Sequence, residues 1–265
     1  MRKTKLAIWS TALCGAMLPV AALLVPMALA ESNIVGGIKV DVTGKLRPAV
    51  LPRHGAKPVR VSFGGKISST QPDTLPKLTK MTIAINRNGR LDTHGLPRCR
   101  LGQIRPSSDR QALDACGPAL VGEGSFSADV RIAEQSPFPS QGKVLAFNGR
   151  LNGKPAILAH IYGIDPYPTS YVLPFRISRS AGAFGTVLEA SFPQVTGEWG
   201  YVTGLRMSLH RRFFYRGKAR GYLSAGCPAP KGFTKVPFRL ARTSFEFENE
   251  VTVDTVLNRT CTARG

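Results

Sequence analysis

Cationic side chains are concentrated in one short stretch of this sequence. From Arg206 to Arg220 the chain has six Lys or Arg residues and no Asp or Glu. Because clustered cations attract anionic polymers and anionic head groups, the stretch predicts a polyanion-binding surface. The residues expected to make the contact are Arg211, Arg212, Arg216, Lys218 and Arg220.

The cysteines are the second set of residues able to do chemistry. Cys14 lies in an apolar amino-terminal segment, and the four cysteines after it are Cys99, Cys116, Cys227 and Cys261. An even number of cysteines in an exported chain predicts two disulfides. Of the three possible pairings, nearness in sequence favours Cys99 with Cys116 and Cys227 with Cys261. Cys227 precedes Pro228 at a chain corner, where a crosslink and a reactive thiol are equally easy to place.

The residues Ser224-Ala225-Gly226-Cys227 resemble the end of the L,D-transpeptidase signature, in which a catalytic cysteine follows a Ser-His-Gly triplet. The resemblance implies that Cys227 is the nucleophile and His210 the base of an acyl transfer that crosslinks peptidoglycan. This sequence departs from the family at Ala225, where the signature has histidine, and in the short gap between His210 and Ser224. The interpretation requires a free Cys227 thiol, which a disulfide would remove.

A second resemblance rests on a longer set of residues. They are Gln103, Pro106-Ser107-Ser108, Ala112-Leu113, Cys116, Ala119-Leu120-Val121-Gly122, Ser224 to Phe233, and Leu240-Ala241-Arg242. The combination is similar to a family of exported bacterial β-rich proteins with no assigned function. It covers most of the chain after about Leu51. What it implies is an exported, cysteine-bearing domain, and it brings no catalytic residues with it.

The histidines do not indicate a metal site. His54, His94, His160 and His210 are dispersed, and no two of them have the spacing of metal ligands. His160 lies in an apolar strand segment, which favours a hydrogen-bonded core histidine over a ligand. The sequence therefore predicts no bound metal and no cofactor.

Alternation of apolar and polar residues is the main secondary-structure signal. Leu205, Met207 and Leu209 alternate with polar residues, the period of two that places apolar side chains on one face of a strand. The predicted strand segments are Val59 to Phe63, Met81 to Ile85, Phe126 to Ile132, Val144 to Phe147, Ala156 to Tyr162, Tyr171 to Ile177, Thr186 to Phe192, Leu205 to Leu209, Phe213 to Tyr215, Val236 to Phe247 and Val251 to Leu257. The strand ending at Leu209 is followed by a return limb of Phe213 to Tyr215 and then Tyr222 and Leu223, and a basic loop from Arg216 to Gly221 lies between the limbs.

The fold class follows from these segments and the turns between them. Asn88-Gly89 and Asn152-Gly153 are hairpin turn signals. One short helix is expected to start near Ser108, because Ser108 and Gln111 have capping-box spacing. Roughly a dozen short strands with one short helix predict an all-β antiparallel sandwich or barrel. A faint echo between the segments around Cys116 and Cys227 would make it two related halves.

Three segments organise the chain. Residues 1–30 combine early cations, an apolar run and Ala28-Leu29-Ala30, which indicates a signal peptide cleaved after Ala30 or, alternatively, a retained anchor. Residues 31–58 have little periodicity and predict an extended or poorly ordered lead-in. Residues 59–265 form the predicted β-rich domain, in which no further segment is apolar enough to span a membrane.

The net charge of the protein favours some kinds of function over others. The chain has 36 Lys and Arg against 16 Asp and Glu, a formal charge of +20, and losing Arg2, Lys3 and Lys5 with the signal leaves about +17. The predicted location is secreted or extracytoplasmic, in association with the cell envelope. In that location a charge of this size favours a non-enzymatic module that binds an anionic envelope polymer or lipid head groups. Specific nucleic-acid binding is not expected. The alternatives are a structural surface module without a ligand and the cysteine transpeptidase. The oligomeric state stays open.

Overall fold

The computed structural model describes residues 30–71, 75–130, 136, 138–164, 168–192 and 200–264. Its strands are β1 Glu31–Val35, β2 Ile38–Arg47, β3 Val50–Pro52, β4 Lys57–Pro58, β5 Arg60–Ser69, β6 Leu78–Asn86, β7 Gly89–Leu91, β8 Leu120–Val130, β9 Phe138–Leu151, β10 Lys154–Gly163, β11 Thr169–Arg179, β12 Phe184–Ser191, β13 Gly200–Leu209, β14 Arg212–Tyr215, β15 Lys218–Gly221, β16 Leu223–Ala225, β17 Lys235–Phe247 and β18 Thr252–Arg264. The helices are α1 Asp109–Cys116 and the short 3-10 turns Leu101–Gln103 and Gly117–Ala119. The all-β class with one short α-helix is confirmed. The predicted signal segment, apart from Ala30, and Ile132 lie outside the described residues.

Thirteen of these strands form one sheet, in the order β1-β2-β5-β13-β8-β9-β10-β11-β12-β6-β17-β18-β3. Neighbouring strands run antiparallel, except that β3 runs parallel to β18. The sheet curls until its first strands meet β18, where the guanidinium of Arg259 pairs with Glu31 and donates to the carbonyl oxygen of Gly44. The apolar face is therefore turned inward and the strands surround the main core.

The inner face of the curled sheet carries the larger of two apolar clusters. In β2, Ile38, Val40 and Val42 are at most 1% exposed, while the intervening Lys39 and Asp41 face outward. Phe245 and Leu257, from the opposite end of the sheet order, belong to the same cluster. The period of two thus separates an apolar interior from a charged exterior.

Helix α1 covers the outer face of β9, β10 and β11 and creates the second cluster. Ala112 and Cys116 pack with Leu145, Phe147 and Leu158, while neighbouring residues of the same strands face the inner cluster. Because both faces are covered, residues 144–149 and 156–161 are buried without interruption. The capping box at the start of α1 is confirmed, since the Ser108 hydroxyl accepts from the Gln111 amide and the Gln111 side chain accepts from the Ser108 amide.

Both predicted disulfides are confirmed. Cys99 is bonded to Cys116 and Cys227 to Cys261, with Cα–Cα distances of 5.4 and 5.8 Å. The two cysteine segments compared in the duplication hypothesis differ locally, because Cys116 ends a helix and Cys227 follows β16. The echo in the sequence is therefore not repeated in local structure at these positions.

The structure differs from the lead-in predicted for residues 31–58. This segment supplies β1 to β4, and Leu51 is fully buried. β2 pairs along its whole length with β5, from Ile38 opposite Ser69 to Arg47 opposite Arg60. Ile38, Val40 and Val42 alternate with Lys39 and Asp41 as in the predicted strands, and in the structure the segment belongs to the main sheet.

The turns are partly as predicted. Asn152 and Gly153 have φ values of 50° and 76° and connect β9 to β10 as a hairpin. Asn88-Gly89 does not make a hairpin, because β7 pairs with β16 and β6 pairs with β12 and β17. The predicted return limb likewise pairs elsewhere, since β14 forms a separate hairpin with β15 while β13 lies between β5 and β8.

Candidate anion-binding cleft

An open cleft of about 850 Å³ lies at the rim of the curled sheet, where β2, β5 and β13 have neighbouring ends. Its wall contains four permanent cations and one histidine, and no carboxylate. The lining residues are Lys45, Leu46, Arg47, Pro48, Ala49, Val59, Arg60, His210 and Arg212. We call this surface the basic cleft.

Strand register assembles the basic cleft. Arg47 at the end of β2 lies directly opposite Arg60 at the start of β5. The last residue of β13, Leu209, is opposite Val61, so that His210 continues into the row that Arg60 occupies. The amide of His210 donates to the carbonyl oxygen of Val121 at 3.1 Å, which fixes the chain as it leaves β13.

Within the described ranges, Lys45, Arg47, Arg60 and Arg212 form no salt bridge. All four side chains are exposed. A carboxylate does occur on the outer sheet surface, because Glu123 on β8 is opposite Ser208 on β13, two strands and two residues along from Arg60. Two arginines directly opposed across a strand pair repel each other, and an anion between them would relieve that repulsion.

The five cations predicted as one contact surface are divided in the structure. The two-residue turn at Arg216 and Gly217 places Arg212 opposite Gly221 and Tyr215 opposite Lys218. Because directly opposed residues share a face, Arg212 projects from one face of the hairpin and Lys218 from the other. Only Arg212 of the predicted five lines the basic cleft.

The other predicted cations have their own partners or positions. Arg220 forms a 2.7 Å salt bridge with Asp92, and its guanidinium lies 5.5 Å from the centre of the Tyr215 ring. Burial raises the pKa of Asp92, but hydrogen bonds from the His94 amide and from Arg220 outweigh it and hold that pKa below its ordinary value. Arg216 also stacks on Tyr215, at 5.3 Å, and Arg211 is half-buried.

The structure removes the nucleophile of the transpeptidase interpretation. The Cys227 sulfur is bonded to that of Cys261, and Cys227 is 1% exposed. A disulfide sulfur cannot act as a thiolate nucleophile. His210 lies instead in the basic cleft, with its Nδ1 atom 3.3 Å from the Ser208 carbonyl oxygen. The structure thus assigns His210 to the cleft and Cys227 to a structural crosslink.

A cluster of Ser107, His160 and Asp109 has the residue types of a nucleophilic triad. The His160 Nε2 atom is 3.2 Å from the Ser107 hydroxyl, and its Nδ1 atom is 3.5 Å from an Asp109 carboxylate oxygen. Nε2 is closer, at 2.9 Å, to the Ser107 carbonyl oxygen, which can only accept a hydrogen bond. A nitrogen that donates there cannot accept the serine proton, and the hydroxyl itself donates to the Ile104 carbonyl oxygen. The cluster therefore holds the start of α1 against β10. This structural role agrees with the prediction that His160 is a hydrogen-bonded core histidine.

An apolar cavity of about 90 Å³ lies inside the curled sheet, next to the basic cleft. Leu46 and Val59 line both spaces. Further walls of the cavity come from Val61 on β5, Ile83 on β6 and Leu240 on β17. The sequence predicted these residues only as core positions. Alternation in a strand predicts which side chains are buried, but it does not indicate that a cavity is left between them.

Comparisons with protein-family models, with curated proteins and with solved structures find no match for this chain. The resemblance to exported bacterial β-rich proteins therefore stays a prediction. Among the described residues there is no group of three side chains able to hold a metal ion. No helix within the described ranges is long and apolar enough to cross a membrane.

Proposed function

We propose that this protein is an exported, disulfide-stabilised β module whose basic cleft binds an anionic, phosphate-bearing component of the cell envelope without chemically changing it. The single observation that carries the proposal is the convergence of Lys45, Arg47, Arg60, His210 and Arg212 on one cleft whose wall has no carboxylate. Phosphate oxygens accept several hydrogen bonds at once, and arginine forks match them in shape.

The compartment in this proposal rests on the crosslinks and the charge. Two disulfides are stable in an oxidising compartment. A formal charge of +20 favours association with the polyanions of an envelope. Relative to the sequence prediction, the contact moves from the hairpin tip to the rim of the sheet, and Arg212 is common to both.

Binding of soluble polyphosphate at increasing salt concentration tests the proposal. We expect binding that weakens steeply as salt rises, because at 0.15 M salt the screening length is only about 8 Å. Neutral dextran is the matched control polymer and should not bind. Absence of polyphosphate binding at physiological salt would contradict the proposal and favour the structural module without a ligand.

A further inference from the structure

The basic cleft and the apolar cavity are neighbours in the fold, because Leu46 and Val59 line both. Along β2 and β5 successive side chains alternate between outside and inside. Arg47 and Arg60 are exposed at the rim, whereas their neighbours Leu46 and Val61 face the cavity. β13 repeats the arrangement, with Leu209 lining the cavity and the next residue, His210, lining the cleft. A cationic site therefore lies one residue from an apolar space on three neighbouring strands.

The apolar cavity has the surface of a site for hydrocarbon. Side chains of Leu, Ile, Val, Phe and Met line most of its wall, and cavities of this kind stay dry and accept apolar guests. At roughly 30 Å³ for a group the size of a water molecule, its volume of about 90 Å³ holds about three methylene groups. The cavity suits the first part of an alkyl chain and not a whole lipid tail.

An exposed aromatic ring lies on the hairpin face that carries Arg212 of the basic cleft. Phe214 is 80% exposed. It projects from the hairpin face that carries Arg212, two residues away on β14. An apolar ring at this position can contact the part of an alkyl chain that extends beyond the cavity.

We propose that the ligand of the basic cleft is an anionic amphiphile with a phosphate head group. The head group lies among Arg47, Arg60 and Arg212, and the first methylenes of its alkyl chain enter the cavity past Leu46 and Val59. This inference rests on the proposed function, because it presupposes that the basic cleft binds the phosphate. What it adds is the chemical class of the ligand, a lipid phosphate in place of a purely polar polymer.

A series of methyl, propyl, butyl, hexyl and octyl phosphates, each below its micelle concentration, tests this by isothermal titration calorimetry. Each buried methylene should tighten binding on the order of fourfold. With room for about three methylenes, we expect a rise of about 60-fold from methyl to butyl phosphate and a smaller gain for longer chains. Equal affinity for methyl and hexyl phosphate would overturn the amphiphile and leave the phosphate site standing. Absence of binding for every member would overturn both.

Cavity-filling variants test whether the alkyl chain of the ligand lies in the apolar cavity. Val61→Phe, from the wall near the cleft, and Ile83→Phe, from β6, should each abolish the gain with chain length while methyl phosphate still binds. Thermal unfolding identifies a variant that fails to fold. If one variant fails, the chain-length dependence of binding is measured with the other. A chain-length gain that persists in a folded variant would overturn the proposal, because the chain would then lie outside the cavity.

Discussion

Replacing Arg60 with Gln should stabilise the protein without ligand and weaken its response to anions. Arg60 is directly opposite Arg47 across β2 and β5, and opposed like charges in a strand pair cost about 0.2–1 kcal/mol. For a chain of this size 1 kcal/mol corresponds to about 2–4 °C in Tm. The expected rise in Tm for Arg60→Gln is therefore roughly 0.5–4 °C.

The anion response should change in the opposite direction. Saturation of a single site at 100 times Kd stabilises a folded protein by about 2.7 kcal/mol, which would raise Tm by about 5–11 °C. Losing one charged hydrogen bond, worth about 1.5–3 kcal/mol, should cut the polyphosphate-induced rise in Tm by more than half. Differential scanning calorimetry with and without polyphosphate measures both effects in one preparation.

Lys66→Gln is the matched control for Arg60→Gln. Lys66 faces outward on the same strand, but its partner across β2 is Asp41, whose pKa is lowered first by a hydrogen bond from Ser32 and further by Lys39 and Lys66. The control removes the same single charge, and we expect an unchanged or lower Tm and a full anion response. Equal changes in the two variants would refute the reasoning, because they would then report net charge and not the opposed arginines.

Three further predictions follow from the fold. Unreduced protein from which residues 1–30, and with them Cys14, have been removed should show no alkylated cysteine by intact mass. Cys227→Ala with Cys261→Ala should lower the free energy of unfolding by about 4 kcal/mol, the chain-entropy value for a loop of this length; an alkylated Cys227 would contradict the assignment. Ser108→Ala should cost about 1 kcal/mol through loss of the α1 cap, with Ser108→Asp as the control that keeps the cap. Asp92→Asn should lower Tm at pH 7, and the gap to wild type should narrow as the pH falls below about 4, since the lowered pKa of Asp92 means that its carboxylate stabilises the fold only while ionised; a gap that does not narrow with falling pH would contradict this.

Local patterns predicted the elements and the crosslinks. Alternation marks strands such as β13, where Leu205 and Leu209 are buried and Arg206 is exposed. The short segments between paired cysteines keep their ends close, and the capping box of Ser108 depends on residues within one turn of helix. Each of these features is determined by residues near one another in the sequence.

The basic cleft was not predicted from the sequence, because it depends on the register between strands that are far apart in the chain. The basic cleft joins Arg47 and Arg60 to His210 across β2, β5 and β13, and Arg60 and His210 are 150 positions apart in the sequence. Nothing near Arg60 in the sequence indicates which strand lies beside it. The hairpin is a second example. The sequence predicted a loop from Arg216 to Gly221, whereas the structure has a two-residue turn, which places Lys218 and Arg212 on opposite faces.

The most direct test of the central claim compares two double variants that each remove two cations. Arg47→Gln with Arg60→Gln empties the basic cleft of its opposed pair, whereas Arg216→Gln with Lys218→Gln removes the same charge from the hairpin tip. Affinity for polyphosphate is measured for both at one salt concentration. The cleft variant should lose most of its affinity, and the tip variant should stay close to wild type. Equal losses in the two variants would show that binding follows net charge and would contradict a site in the cleft.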